Sequence, residues 1–278
     1  MYLYLVSNKP FKVKTRVTMP SIISIVNQKG GVGKTTTAVN LSASIAAAEK
    51  KCLLVHCDPQ GNATTSLGVS PSELNPSLYD LLVGKSSSEE AIIDTPIPSL
   101  KLIGANPNLF GAEVELFDTS NKEYLLKNIL TNFRENFEYI FIDCPPSLGF
   151  LTLNALTASN FLIVPLQCEY LAMEGLAQLL NTIRLVKKGL NPTLEMIGII
   201  FTMFDIRNNL SHQVVEEVTR NFRDYIFNTI IPRNVSLSEA SSYGKPCMLY
   251  DIRSKGTQSY LELAKELIRK GGKKGDKA

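Results

Sequence analysis

The chain has 278 residues, of which 44% are hydrophobic and 20% charged, with a formal net charge of +3. That lies in the ordinary globular range and supplies a sizeable core. No apolar run reaches the roughly 18 residues of a membrane span. The opening MYLYLVSNKPFKVKTRVTMP has too short an apolar run, with its basic residues on the wrong side, for a secretory signal.

These features set the expectation of a cytoplasmic protein with one large α/β domain over residues 19–268. Before it, residues 1–18 carry Lys9, Lys12, Lys14 and Arg16 and no acid. After it, residues 269–278 carry Arg269, Lys270, Lys273, Lys274 and Lys277 against Asp276. The net charge is therefore the balance of two basic ends and an acidic body. Basic ends suit nucleic acid or anionic lipid, and equally suit plain solvated termini. Five cysteines without a CxxC pair fit a reducing compartment and read as small buried hydrophobes.

In chain order, IISIV (22–26) predicts a strand entering the glycine-rich NQKGGVGKTTT, and TTTAVNLSASIAAAEK the helix leaving it. The usual phosphate-loop pattern, G-x-x-x-x-G-K-[ST], would place its first glycine at position 28, where this chain has Gln28. The variant K-G-G-V-G-K-T-T retains the physics. Glycines let backbone N–H groups converge on phosphate oxygens, and the helix presents its positive end. Gly30, Gly31, Val32, Gly33, Lys34, Thr35 and Thr36 are thus the candidate phosphate cradle. Lys34 would neutralise the outer phosphates, and the Thr35 hydroxyl would ligate Mg²⁺. A second lysine, Lys29, has no role in the usual pattern and, read alone, is a surface charge.

CLLV (52–55) is the next predicted strand, followed by HCDPQGN. Asp58, at that strand's end, suits a carboxylate that polarises a water beside a γ-phosphate, and equally a turn aspartate. LKLIGA and YIFID (139–143) are further strands; Asp143 closes the second and would face Mg²⁺ or a metal-bound water. Pro145 and Pro146 stop that strand, and Ser147 and Gly149 shape a loop suited to sensing the γ-phosphate. FLIVPL, MIGIIFTMF and YIFNTIIP complete the apolar runs. Between them, Leu176, Leu179, Leu180, Ile183 and Val186 form one helical stripe. Buried strands alternating with helices predict a mostly parallel central sheet with helices on both faces, and ligands beyond the strands' carboxyl ends.

The glycine loop resembles the deviant Walker A loop of the ParA/MinD ATPases. DPQGN and D-C-P-P-S resemble that family's next two motifs, and the likeness runs from about residue 22 to 267. The resemblance implies a P-loop ATPase using ATP and Mg²⁺, dimeric when ATP is bound. It implies that Lys29 reaches the partner subunit's phosphates and that Asp58 is needed for hydrolysis. IPRNVSLSEASSYGKP is similar to the segment beside the base and ribose, which makes Pro232 and Asn234 candidate adenine contacts. One departure is His56, where family members commonly carry an acid; slow hydrolysis is expected from it. Met19 opens MPSIISIVNQKGG as short family members begin.

Among these relatives, the chain is similar to the small Soj-type partition ATPases. The segment ahead of the glycine loop is too short for an operator-reading helix-turn-helix. The likeness implies non-specific DNA binding, nucleoid association, a ParB-type centromere-binding partner and a role in chromosome or plasmid partition. Arg233, Lys245 and Arg253 stand where relatives place DNA-binding charges, with Lys255 close by; singly, each reads as a solvated side chain. Many relatives also have a basic residue where this chain has Ser236. The alternative is a MinD-like membrane-associated ATPase. It would want large apolar residues among the terminal lysines, whereas LIRKGGKKGDKA has none after Ile268. An iron-protein reductase would need glycine-flanked paired cysteines, which are not evident. A metabolic kinase or ligase on the same loop would need an acceptor pocket. A Ser-His-Asp hydrolase has only His56 and His212 to draw on and no nucleophile elbow.

Overall fold

The computed structural model describes residues 20–271. The basic segment 1–18, Met19 and residues 272–278 of the tail lie outside the described residues. In chain order the elements are β1 (Ser21–Ile25), α1 (Lys34–Ala47), β2 (Cys52–His56), α2 (Asn62–Ser66), α3 (Leu78–Leu82), β3 (Ile92–Asp94) and β4 (Leu100–Ile103). Next come α4 (Ala112–Glu115), α5 (Leu125–Thr131), β5 (Tyr139–Asp143), α6 (Phe150–Ala158), β6 (Phe161–Gln167) and α7 (Ala172–Gly189). The chain continues with β7 (Glu195–Thr202), α8 (Asn209–Phe222), α9 (Val235–Ser242), α10 (Cys247–Tyr250) and α11 (Lys255–Gly271).

The strands form one sheet in the order β3-β4-β2-β5-β1-β6-β7. Every pairing is parallel except the edge pair β3–β4. Successive side chains of a strand point to opposite faces, and here both faces are covered, which explains the near-continuous apolar strands. Ile22, Leu53, Val55, Ile140 and Ile142 enter one apolar layer with the predicted stripe of α7. Ile23, Ile25, Leu54, Tyr139 and Phe141 enter the other with α1, α9 and α11. The expected mostly parallel sheet between two helical layers is what the chain forms. All five cysteines are free and buried.

Two edges depart from the sequence reading. The three-residue strand β3 was not foreseen, because a short, half-exposed edge strand carries little apolar signal. YIFNTIIP was expected as a strand and is not one. It makes only isolated bridges, Ile199 to Ile226 and Phe204 to Pro232. The reason is competition for its amides: the N–H groups of Asn228 and Thr229 donate to the Glu266 carboxylate on α11, at 3.0 and 3.1 Å. Pro232 has no amide to give.

Where this segment crosses β7, close approach requires a glycine. A Cβ on Gly198 would lie 2.7 Å from Phe227 Cε2 and 2.8 Å from the Tyr225 carbonyl oxygen. Gly198→Ala is expected to lower stability by about 1–3 kcal/mol through overpacking, read as a shifted denaturation midpoint with unchanged m-value.

Candidate active site

The sheet order puts three strand ends side by side. Asp143 at the end of β5 is in register with Ile25 of β1 on one side and His56 of β2 on the other. The glycine loop leaves β1, the Asp58 loop leaves β2, and Asp143 stands between them.

The glycine loop is held from below. Asn27 donates through Nδ2 to the Pro165 carbonyl (2.8 Å) and accepts the Lys29 amide on Oδ1 (3.0 Å). Gln28, standing where the usual pattern has glycine, donates to Gln178 Oε1 on α7 (2.6 Å). Val32 is buried, and its carbonyl accepts from the Thr202 hydroxyl (2.9 Å). Gly31 and Gly33 have φ of 74° and 87°, the left-handed region that glycine alone enters without strain. Gly33 caps α1 without a side-chain hydrogen bond, and the first turn of α1 has no acid. Its amides and helix dipole thus favour an anion.

Lys34 is buried and donates through Nζ to the Lys29 carbonyl (2.8 Å), so its charge curls back over the loop. Burial lowers its pKa, and the Asp143 carboxylate chiefly opposes that fall. Asp143 is fully buried, and neither carboxylate oxygen has a hydrogen-bond partner. Burial pushes its pKa up to about 7; the Thr35 hydroxyl beside it works against the rise, and Asp58 adds to it. A buried carboxyl poised between charged and neutral, with both oxygens unpartnered, fits a cation and its water better than a structural cap. The residues present therefore fit a divalent metal at Thr35 and Asp143.

Asp58 is 8% exposed, and its Oδ1 accepts the Gln60 amide (3.0 Å) in a turn closed by Gly61. It lines a cavity of about 270 Å³ with Pro145, Pro146, Ser147 and Gly149, so the second and third motifs meet across one space. Pro232 and Asn234 line a second, smaller cavity that begins at Gly33 and Thr36 of the glycine loop. Asn234 Oδ1 is buried there without a partner. Arg233, Lys245, Arg253 and Lys255 are all exposed, on the turns that flank α9, α10 and the start of α11. Ser236 donates to Asp251 Oδ2 (3.3 Å).

Lys29 holds an unforeseen partner. Its Nζ forms an ion pair with Glu169, just past β6, and both side chains are about a third exposed. Glu169, Thr202 and Gln178 had no motif to announce them; each meets the loop only through the sheet order.

A family model described as an AAA domain matches residues 20–196. The chromosome partitioning protein ParA of Myxococcus xanthus is 53% identical over 91% of this chain and 89% of its own. The sporulation initiation inhibitor protein Soj of Bacillus subtilis is 53% identical over 91% of this chain and all of its own. Among solved structures, a cobyrinic acid a,c-diamide synthase from Mycobacterium smegmatis with bound ADP and magnesium superposes with a TM-score of 0.80. It is 38% identical, over 90% of this chain and 94% of that one. No helix of the described residues is long and apolar enough to cross a membrane. With its deviant glycine loop, its two strand-end aspartates and this identity along nine-tenths of its length, the chain belongs to the ParA/Soj family of partition ATPases.

Proposed function

We propose that this protein is a cytoplasmic, nucleoid-associated ATPase. It dimerises on ATP, binds DNA without sequence preference and partitions a chromosome or plasmid with a ParB-type partner. The observation that carries this reading is the convergence of Lys34, Asp143 and Asp58 at adjacent strand ends, around a helix N-terminus that has no side-chain cap. ATP is the substrate. Its phosphates lie on the amides of residues 30–36, and Lys34 turns from the Lys29 carbonyl to their outer oxygens. Adenine takes the cavity of Pro232 and Asn234, whose free Oδ1 suits an exocyclic amino group.

Thr35 and Asp143 are the groups that would hold Mg²⁺, which when bound offsets charge on the phosphate oxygens. Asp58 orients the attacking water. Lys29 exchanges Glu169 for the phosphates of a second subunit. The surrendered ion pair is more than a third exposed on the Lys29 side and worth at most about 1 kcal/mol, so it does not oppose the exchange strongly.

Arg233, Lys245, Arg253 and Lys255, exposed on neighbouring turns, are the proposed DNA contacts. The test is a gel shift of plasmid DNA with ATP, ADP or no nucleotide, beside co-sedimentation with anionic liposomes. The expected result is a shift in ATP alone that weakens steeply with salt, since each neutralised phosphate releases counterions. Liposome binding without a DNA shift would favour the MinD-like alternative.

A further inference from the structure

The turn that carries Lys245 is gripped from two sides. On one side, Asn40 of α1 is buried, and its amide bridges two elements. Nδ2 donates to the Thr36 carbonyl of the phosphate cradle (2.8 Å), and Oδ1 accepts the Cys247 amide (2.8 Å). Cys247 opens α10, so its N–H is one that no carbonyl of that helix takes. On the other side, Gly244 lies backbone to backbone against the end of α2. A Cβ on Gly244 would sit 3.0 Å from Gly68 Cα and 3.2 Å from the Thr65 carbonyl oxygen.

Each grip leads back to a nucleotide loop. Asn40 lies in the second turn of the helix that the glycine loop opens. Thr65 is joined to the Asp58 turn by consecutive bonds. Its amide and hydroxyl donate to the Gly61 carbonyl (2.9 and 3.1 Å), and the Gly61 amide donates to the Asp58 carbonyl (3.1 Å). Ala63 and Leu67 share one buried apolar layer with Ala240 and Cys247, so a displacement of α2 is passed on to α9 and α10. Between the grips lie only Lys245, which is exposed, and Pro246, whose ring fixes its φ. The Lys245 amide is itself held by the Ala240 carbonyl (3.0 Å). So short and constrained a turn has no slack to absorb movement of one grip against the other.

We propose that residues 244–247 are a relay through which the nucleotide state of a subunit sets the position of its own Lys245, with Asn40 as the positioning residue. Asn40 anchors the turn to the phosphate cradle, and Gly244 lets the Asp58 loop press on it through α2. Coupling between separated sites is carried by contiguous packed and hydrogen-bonded contacts of this kind. DNA binding then responds to ATP within each chain, in addition to the doubling of contacts that pairing brings. This rests on the DNA contact proposed above for Lys245.

The test is the affinity for a duplex oligonucleotide, by fluorescence anisotropy, in ADP and in a non-hydrolysable ATP analogue, for the parent, Asn40→Ser and Gly244→Ala. Serine can still back-bond to the Thr36 carbonyl but is too short to reach Cys247. Alanine at 244 meets both a φ of 63° and the α2 backbone. The readout is the ratio of the two affinities, since a role in folding alone would weaken both equally. Coupling between sites is typically about 5- to 150-fold, so the ratio is expected to fall by about 5-fold or more in each variant. Analogue affinity without DNA and the doubled mass in analogue should be retained. A folded variant of either kind with the parental ratio overturns the proposal, as does a ratio that falls only because the variant no longer pairs. Should neither variant fold, amide hydrogen exchange of the parent decides. Exchange over residues 244–247 is expected to differ between ADP and the analogue, and identical exchange overturns the proposal. A parent that binds DNA equally in both nucleotides overturns the DNA reading and this proposal with it.

Discussion

Asp58→Ala is expected to lower ATP turnover by at least about 10²-fold while leaving ATP binding intact, because positioned acid–base groups typically contribute 10²–10⁴. Asp58 is buried in the lining of the cavity it shares with Ser147, and its Oδ1 is fixed by the Gln60 amide. Neither the loop amides nor Lys34 depends on it for position; Lys34 is held by the Lys29 carbonyl. The variant should therefore charge with ATP, pair with a second copy and stay paired. The expected readouts are a stoichiometric ATP complex, doubled mass by light scattering, and a DNA shift that outlasts that of the parent protein. A variant hydrolysing ATP at the parental rate would remove Asp58 from the mechanism.

Lys29→Ala is the second large effect and separates differently. Its amide accompanies the loop through Asn27, but its side chain leaves the loop for Glu169. Truncation should spare the cradle and leave ATP affinity near that of the parent. Turnover should fall by about 10³-fold or more, the range for a cation supplied in trans to a GTPase site. Stimulation by DNA or by a partner should vanish with it. Glu169→Gln makes the opposite change, freeing Lys29 in the lone chain. Dimerisation at lower ATP is expected from it, read as mass against nucleotide concentration. A Lys29→Ala protein with parental turnover would contradict the proposed crossing.

The parts of the site that follow one another along the chain were legible in the sequence. An apolar run, a glycine cluster and a Lys-Thr pair specify strand, loop and helix locally. Ser21–Ile25 forms within a residue of its expected bounds, and Lys34–Ala47 starts within a residue of the expected helix and ends three residues before it. Tyr139–Asp143 is the expected strand in full, because five buried residues ending in an acid leave no other register. What was not legible depends on sheet order. Glu169 meets Lys29 because β6 lies beside β1, and His56 meets Asp143 because β2 lies beside β5. No local pattern encodes either neighbourhood. The 225–232 segment misled for a related reason: its β-branched composition is that of a strand, but a distant carboxylate, Glu266, takes the Asn228 and Thr229 amides in its middle, while Phe227 and Ile231 still donate to β7.

The claim on which the mechanism turns is that Asp58 acts within its own subunit and Lys29 in its neighbour's. Mixing the two inactive variants tests it most directly. Asp58→Ala and Lys29→Ala chains that pair with each other build one complete site, with Asp58 from the Lys29→Ala chain and Lys29 from the Asp58→Ala chain. The account predicts ATP turnover in the mixture well above either variant alone, rising with protein concentration. A mixture no more active than the sum of its parts, while light scattering shows mixed dimers, would contradict it.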